Sequence, residues 1–214
     1  LTGACGGLGQ ALARGLLAQG AQVALVGRDS AQLEMLAALA PGRSAVYTLD
    51  VADAAAMQAM AHDWMQRSGV PDLVIANAGV AGGYATAQAD DLAVFRRMLE
   101  INLLGVATTF QPFLAAMQAQ ARPASLVGVA SIAGWRGLPG NGAYCASKAG
   151  LIAYLQSLRA ELRGTGVTVH TVSPGYLCTV LTAGNHFVIP GLLEPQVVAQ
   201  TLPPVPHTHL RAHV

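Results

Sequence analysis

Near the start of the chain runs Thr2-Gly3-Ala4-Cys5-Gly6-Gly7-Leu8-Gly9, followed from Leu8 to Gln19 by a stretch whose apolar spacing is that of a helix. Glycines at the entry to a helix let backbone N–H groups and the helix N-terminus come close to a phosphate, where side chains would block a pyrophosphate. A turn of this kind also serves plain packing, so it needs support from the rest of the chain.

Outward from this turn, short apolar runs alternate with longer stretches of helical period. The runs Gln22–Val26, Ser44–Leu49, Asp72–Ala76, Ser125–Ala130 and Val167–Val172 read as strands buried on both faces. Leu8–Gln19, Ser30–Ala40, Ala52–Arg67, Asp91–Gln120, Tyr144–Arg163 and Glu194–Gln200 read as helices, with Asp90 as an N-cap and Gly20 and Gly164 as stops. Such alternation predicts an α/β fold, a doubly wound parallel sheet in three layers, with residues 1–214 forming one domain. A sheet of this kind needs a central strand directly before the glycine turn, yet only Leu1 and Thr2 precede Gly3, so the start reads as truncated. After Gln200 the periodicity ends and Pro203, Pro204 and Pro206 predict an irregular tail over 201–214.

Composition narrows the function. Charged residues make up 11% of the 214 and the net charge is +1, which leaves no basic surplus for a nucleic-acid backbone. Mean hydropathy is +0.44, but no run approaches the roughly 20 apolar residues of a membrane span. Cys5, Cys145 and Cys178 form an odd set without C-x-x-C spacing, so neither a disulfide framework nor a structural zinc is expected, and a reducing cytoplasm is the expected location.

Tyr144 and Lys148 lie one helical turn apart and project from the same face. An ammonium near a phenol favours the phenolate, which would bring Tyr144 toward use as an acid or base. Ser131, at the end of a strand, would hydrogen-bond a substrate oxygen. The competing reading of a lone Y-x-x-x-K is a solvated helix face.

The order of motifs settles between these readings. T-G-x-x-x-G-x-G is followed by Asp50-Val51, Asn77-Ala78-Gly79, Ser131, Tyr144-x-x-x-Lys148 and Pro174-Gly175, each after a predicted strand or opening a helix. From Thr2 to about Gln200 the chain resembles the short-chain dehydrogenase/reductase family. The resemblance implies a Rossmann fold, hydride exchange between a nicotinamide cofactor and a carbonyl or secondary alcohol, and assembly as a homodimer or homotetramer through the two long helices. It further implies a catalytic set of Asn102, Ser131, Tyr144 and Lys148, with Asn102 holding a water that links Lys148 to solvent. Cofactor-binding positions implied are Thr2, Gly3, Gly7, Leu8, Gly9, Asp50 at the adenine, Val51, Asn77, Ala78, Gly79, Tyr144, Lys148 at the ribose, Pro174, Gly175, and Thr179 at the carboxamide. Asn77 is expected to brace the central strands. Asn102 sits awkwardly inside a helix, where its amide competes for backbone hydrogen bonds.

Cofactor choice turns on the end of the strand Gln22–Val26. NAD users carry an acid there for the adenine ribose 2′-OH, whereas here Gly27 is followed by Arg28, whose guanidinium suits a 2′-phosphate. NADP(H) is therefore expected over NAD(H), although Asp29 follows and reads either as an acid or as a helix N-cap, and Gly6 stands where NADP users of the family often have a second basic residue.

Substrate contacts are expected from Gly82-Gly83-Tyr84, from Trp135-Arg136-Gly137-Leu138 and from a loop over 176–193 whose Leu, Val, Phe and Ile suggest an apolar small-molecule substrate or a lid. His207, His209 and His213 lie in the tail without further ligands, and no metal is expected. Met57, Met60 and Met65 read as packing, Cys145 as a buried hydrophobe, and His62 and Trp64 suggest no site. The alternative function is a non-catalytic NADP-binding sensor, or an inactive remnant of such an enzyme.

Overall fold

The computed structural model describes residues 1–120, 122–176 and 194–200. Strand β1 (Val23–Gly27) pairs in parallel with β2 (Ser44–Thr48), and β3 (Leu73–Ala76), β4 (Ala124–Val129) and β5 (Val167–Val172) form a second parallel set in the order β3-β4-β5. Along β3 and β4, neighbouring residues face opposite layers. Val74 and Leu126 join the cluster built by α3 (Ala54–Ser68), α5 (Gly105–Ala119) and α6 (Gly142–Glu161), while Ile75 and Val127 pack against α1 (Gly7–Ala18) and α7 (Pro195–Gln200). With helices on both faces, nearly every position of β3 and β4 is apolar, whereas β5 exposes Thr168 and no residue of β2 is fully buried, so the expected burial of every strand on both faces does not hold for these two. Leu33 and Leu36 of α2 (Ser30–Ala37) close the core beside β1.

Helix ends follow local chemistry. Gly20, at φ 85°, takes the left-handed position after α1, with Gly20 N–H donating to Leu17 O and Ala21 N–H to Leu16 O in the 5→2 and 6→1 pattern that satisfies two terminal carbonyls. Asp90 does not act as the expected cap of α4 (Asp91–Leu99): its side chain makes no capping bond and its backbone is already helical, while Asp91 instead accepts the Ala85 N–H.

The expected single helix Asp91–Gln120 is interrupted. A π turn at Glu100–Leu104 separates α4 from α5 and has Asn102 at its centre. Asn102 Oδ1 accepts the Val80 N–H at 2.8 Å and Nδ2 donates to Val80 O at 2.9 Å and to Ser147 Oγ at 3.0 Å, so the amide bonds outside its own helix and the ladder widens around it.

Among the described residues, only Leu1 and Thr2 bridge the sheet between β1 and β3. Thr2 forms an isolated parallel bridge to Val26 and donates its N–H to Ile75 O at 3.0 Å, while the Leu1 ammonium donates to Ala24 O at 3.0 Å. Beyond these residues a groove of about 780 Å³ runs between the facing edges, lined by Val23 and Ala24 on one side and by Leu73 and Val74 on the other. The expected central strand is thus represented by its last residues and by a strand-wide slot.

Candidate active site

The glycine turn is shaped by close approaches that leave no room for side chains. Gly3, at φ 64°, would put a Cβ 2.7 Å from Ala78 Cα, and a Cβ on Gly9 would overlap the Gly3 carbonyl. Thr2 and Asn77 lace this turn to the end of β3. Asn77 Nδ2 donates to Thr2 O and Gly3 O, both at 3.1 Å, and the N–H groups of Asn77 and Ala78 donate to Thr2 Oγ1 at 3.2 and 3.3 Å. Gly6 and Gly7 are exposed at the start of α1, which carries no side-chain cap and no acid in its first turn. This end of α1 therefore fits a pyrophosphate: its N–H groups are approachable and its dipole is uncompensated. Leu8 packs its side chain into the core, leaving only its backbone N–H for such a ligand.

At the edge of the same crevice, a Cβ on Gly27 would lie 2.6 Å from Cys5 Sγ, so a side chain there would require the Cys5 side chain to turn away. Asp29 is spoken for: it is the N-cap of α2, with Oδ1 accepting the Gln32 N–H and Oδ2 accepting Gln32 Nε2, each at 3.0 Å. Arg28 is two-thirds exposed, its guanidinium 3.9 Å from Asp50 Oδ2. Burial alone would raise the Asp50 carboxyl, but the Ala52 N–H and the guanidiniums of Arg97 and Arg28 outweigh it and hold the group below the usual carboxylate range. Val51 is buried and accepts Thr108 Oγ1 at its carbonyl at 2.6 Å.

Ser131 ends β4 and caps a short 3₁₀ turn, Ile132–Gly134, accepting the Ala133 N–H at 3.2 Å. That turn lies directly on α6: a Cβ on Gly134 would meet Lys148 O at 2.8 Å and Ile152 Cδ1 at 2.7 Å. The close approach brings Ser131 near enough to the Tyr144 phenol to pull its pKa down. Pro174 and Gly175 follow β5 and back the same turn, the Ile132 N–H donating to Pro174 O at 3.1 Å. Lys148 is buried. Its Nζ donates to Val129 O at 2.8 Å, sits 5.9 Å from the Tyr144 ring centre, and lies beside Gly79, where a Cβ would be 3.6 Å away. Asn102 Oδ1 borders the same glycine at 3.3 Å from that Cβ position.

Lys148 and Asn102 thus meet at Gly79, with the Tyr144 ring beside Lys148, but the electrostatics differ from the sequence expectation. Burial raises the Tyr144 phenol above its ordinary value of 10.0, and Ser131 only partly offsets this. Lys148 turns its Nζ to Val129 O, and burial pushes its own pKa from 10.5 down to about 8.

Two of the expected substrate segments adjoin. The Tyr84 N–H donates to Gly140 O at 2.8 Å, its ring meets Phe95 edge to face at 5.4 Å, and Trp135 is exposed with Nε1 donating to Ser173 Oγ at 3.4 Å. Thr179, most of the 176–193 loop and the three tail histidines lie outside the described residues. Among the described residues no helix is long and apolar enough to cross a membrane and no cluster could hold a metal ion.

Sequence reading missed Ser147, whose fully buried hydroxyl accepts Asn102 Nδ2 and donates to Tyr144 O at 2.7 Å, joining the π turn to the helix of Tyr144. It also missed Arg97, paired with Asp50 and, at 3.6 Å, with Glu100. Position alone marks Ser147, inside Y-x-x-x-K, whereas nothing in the sequence pairs Arg97 with a carboxylate so distant in the chain.

A sequence profile described as short chain dehydrogenase matches residues 1–186. Over 197 residues the chain is 41% identical to an uncharacterized oxidoreductase of Myxococcus xanthus, covering 91% of this chain and 77% of that protein. It is 34% identical over 202 residues to the probable oxidoreductase EphD of Mycobacterium tuberculosis, covering 92% of this chain but only 34% of EphD. An alcohol dehydrogenase from the archaeon Thermococcus sibiricus, solved in complex with 5-hydroxy-NADP, superposes with a TM-score of 0.82 at 26% identity, covering 94% of this chain and 86% of that one. The profile match begins at the glycine turn and runs past the end of β5, and on this basis the chain belongs to the short-chain dehydrogenase family and is an NAD(P)-dependent oxidoreductase.

Proposed function

We propose that the chain reduces a small, largely apolar carbonyl compound with NADPH, or runs the reverse oxidation, with Ser131, Tyr144 and Lys148 at the reacting oxygen. The observation that carries this reading is buried Lys148, with its Nζ 5.9 Å from the Tyr144 ring centre and beside Gly79 and Asn102 Oδ1. The dinucleotide supplies the hydride. Thr2, Gly3, Gly7, Leu8 and Gly9 would hold its pyrophosphate through backbone N–H groups, Asp50, Val51, Asn77 and Ala78 its adenosine side, and Gly79, Lys148, Pro174 and Gly175 its nicotinamide side.

Ser131 orients the substrate oxygen, and Tyr144 donates the proton that the developing alkoxide requires. A phenol kept neutral by burial is in the correct state for that donation. Lys148 then stabilises the phenolate left behind, and Asn102 fixes the π turn next to it. Since Lys148 titrates at about 8, its positive charge disappears above that pH. Reductive kcat is accordingly expected to be level below pH 8 and to fall above it, and Lys148→Arg, which stays charged, should carry the fall to higher pH. A pH–rate profile that rises through pH 8 would contradict this role.

Arg28 at the adenosine end, with a glycine rather than an acid at position 27 and Asp29 committed to a helix cap, supports NADP over NAD. The solved relative with 5-hydroxy-NADP agrees with a dinucleotide of this class. Titration of both dinucleotides by fluorescence is expected to give the lower Kd for NADP, and Arg28→Ala should weaken NADP by about tenfold while leaving NAD within about twofold, as for loss of one charge-assisted contact. Tighter binding of NAD by the unaltered chain would refute the assignment. NADPH consumption measured against a panel of ketones and aldehydes tests the activity, and turnover confined to strongly anionic substrates would count against an apolar substrate. Assembly through α6 and the α4–α5 segment is the expected quaternary arrangement, and Leu92 and Leu104 are exposed there.

A further inference from the structure

We infer that Arg97 is a positioning residue for cofactor choice, which neutralises Asp50 so that the guanidinium of Arg28 remains free for a ribose 2′-phosphate. The inference rests on the NADP reading above and extends it to a residue outside the family motifs that identified the site.

Four alternating charges form a line across the adenosine end of the crevice. Glu100 Oε2 is 3.6 Å from Arg97 Nη1, Arg97 Nη2 donates to Asp50 Oδ2 in a short ion pair, and the same oxygen is 3.9 Å from Arg28 Nη1. Asp50 Oδ1 is taken by the Ala52 N–H at 3.0 Å. Asp50 is held as an anion, and its strong partner is Arg97, while Arg28 stays beyond hydrogen-bond reach and two-thirds exposed. Without Arg97, Arg28 becomes the one guanidinium beside that carboxylate. The attraction would draw it in, and the carboxylate would oppose an incoming 2′-phosphate. NAD carries no phosphate at this position, so its affinity depends on neither effect.

The test is the ratio of the NAD and NADP dissociation constants, since contacts common to both dinucleotides cancel in it. Arg97→Met is expected to raise the Kd for NADP about tenfold with NAD within about twofold. Arg97→Lys should retain most of the preference. Adding Asp50→Asn to Arg97→Met should restore the ratio to within about threefold of the unaltered chain, because the uncompensated carboxylate is then gone. A purely structural tie between α4 and the end of β2 would instead weaken both dinucleotides equally, lower the melting temperature and leave the ratio unchanged, and that result overturns the proposal while NADP preference stands. If the unaltered chain shows no preference for NADP, or binds neither dinucleotide, the underlying reading falls and the proposal with it.

Discussion

Replacing Tyr144 with phenylalanine is expected to lower kcat by at least about a thousandfold, the scale of losing a positioned general acid together with a hydrogen bond to the reacting oxygen. The substitution removes one oxygen and leaves ring packing in place. Loss of the hydroxyl alone costs on the order of 1 kcal/mol of stability, too little to unfold the chain. Dinucleotide titration and a melting curve on the same preparation separate lost chemistry from lost structure. A variant that keeps more than a tenth of the activity would remove Tyr144 from the reaction, and the neighbouring Ser131 and Lys148 would lose their proposed meaning with it. Binding without turnover in the unaltered chain would favour a cofactor-binding sensor instead.

The second large effect concerns the slot between β1 and β3. An extended apolar segment of about five residues fused directly before Leu1 is expected to raise the melting temperature by about 10 °C, corresponding to about 3 kcal/mol in a domain of this size. The register is already set: Leu1 N bonds Ala24 O and Thr2 N bonds Ile75 O, so the next residues upstream would alternate their N–H groups between Leu73 O and Gln22 O. A proline-rich extension of equal length, unable to donate to either edge, is the control and should give no gain. Equal melting temperatures for all three chains would show that the slot does not accept a strand.

Much of the architecture was legible because short-range rules govern it. β5 falls on the expected residues Val167–Val172, and the other strands within a residue or so, since β-branched and apolar residues bounded by turn signals mark strands locally. Asp90 was misread because a capping side chain is recognised by type, whereas capping also requires an extended backbone that this residue does not adopt. The break at Glu100–Leu104 was visible only as an awkward asparagine, because a π turn is stabilised by partners on other elements, here Val80 and Ser147.

The site divides along the same line. The kinds of chemistry at hand, a glycine turn before a helix, a phenol and an amine one turn apart, and an arginine after Gly27, follow from residue identity and spacing, because backbone freedom and helical period are local properties. The protonation states and pairings do not. Tyr144 is raised rather than lowered, Lys148 turns to Val129 O, Asp29 is used up by a cap, and Asp50 belongs to Arg97 before Arg28. Burial and long-range contact set each of these, and both exist only once the sheet has brought the ends of β1, β3 and β4 to one edge, where distances in space replace distances along the chain.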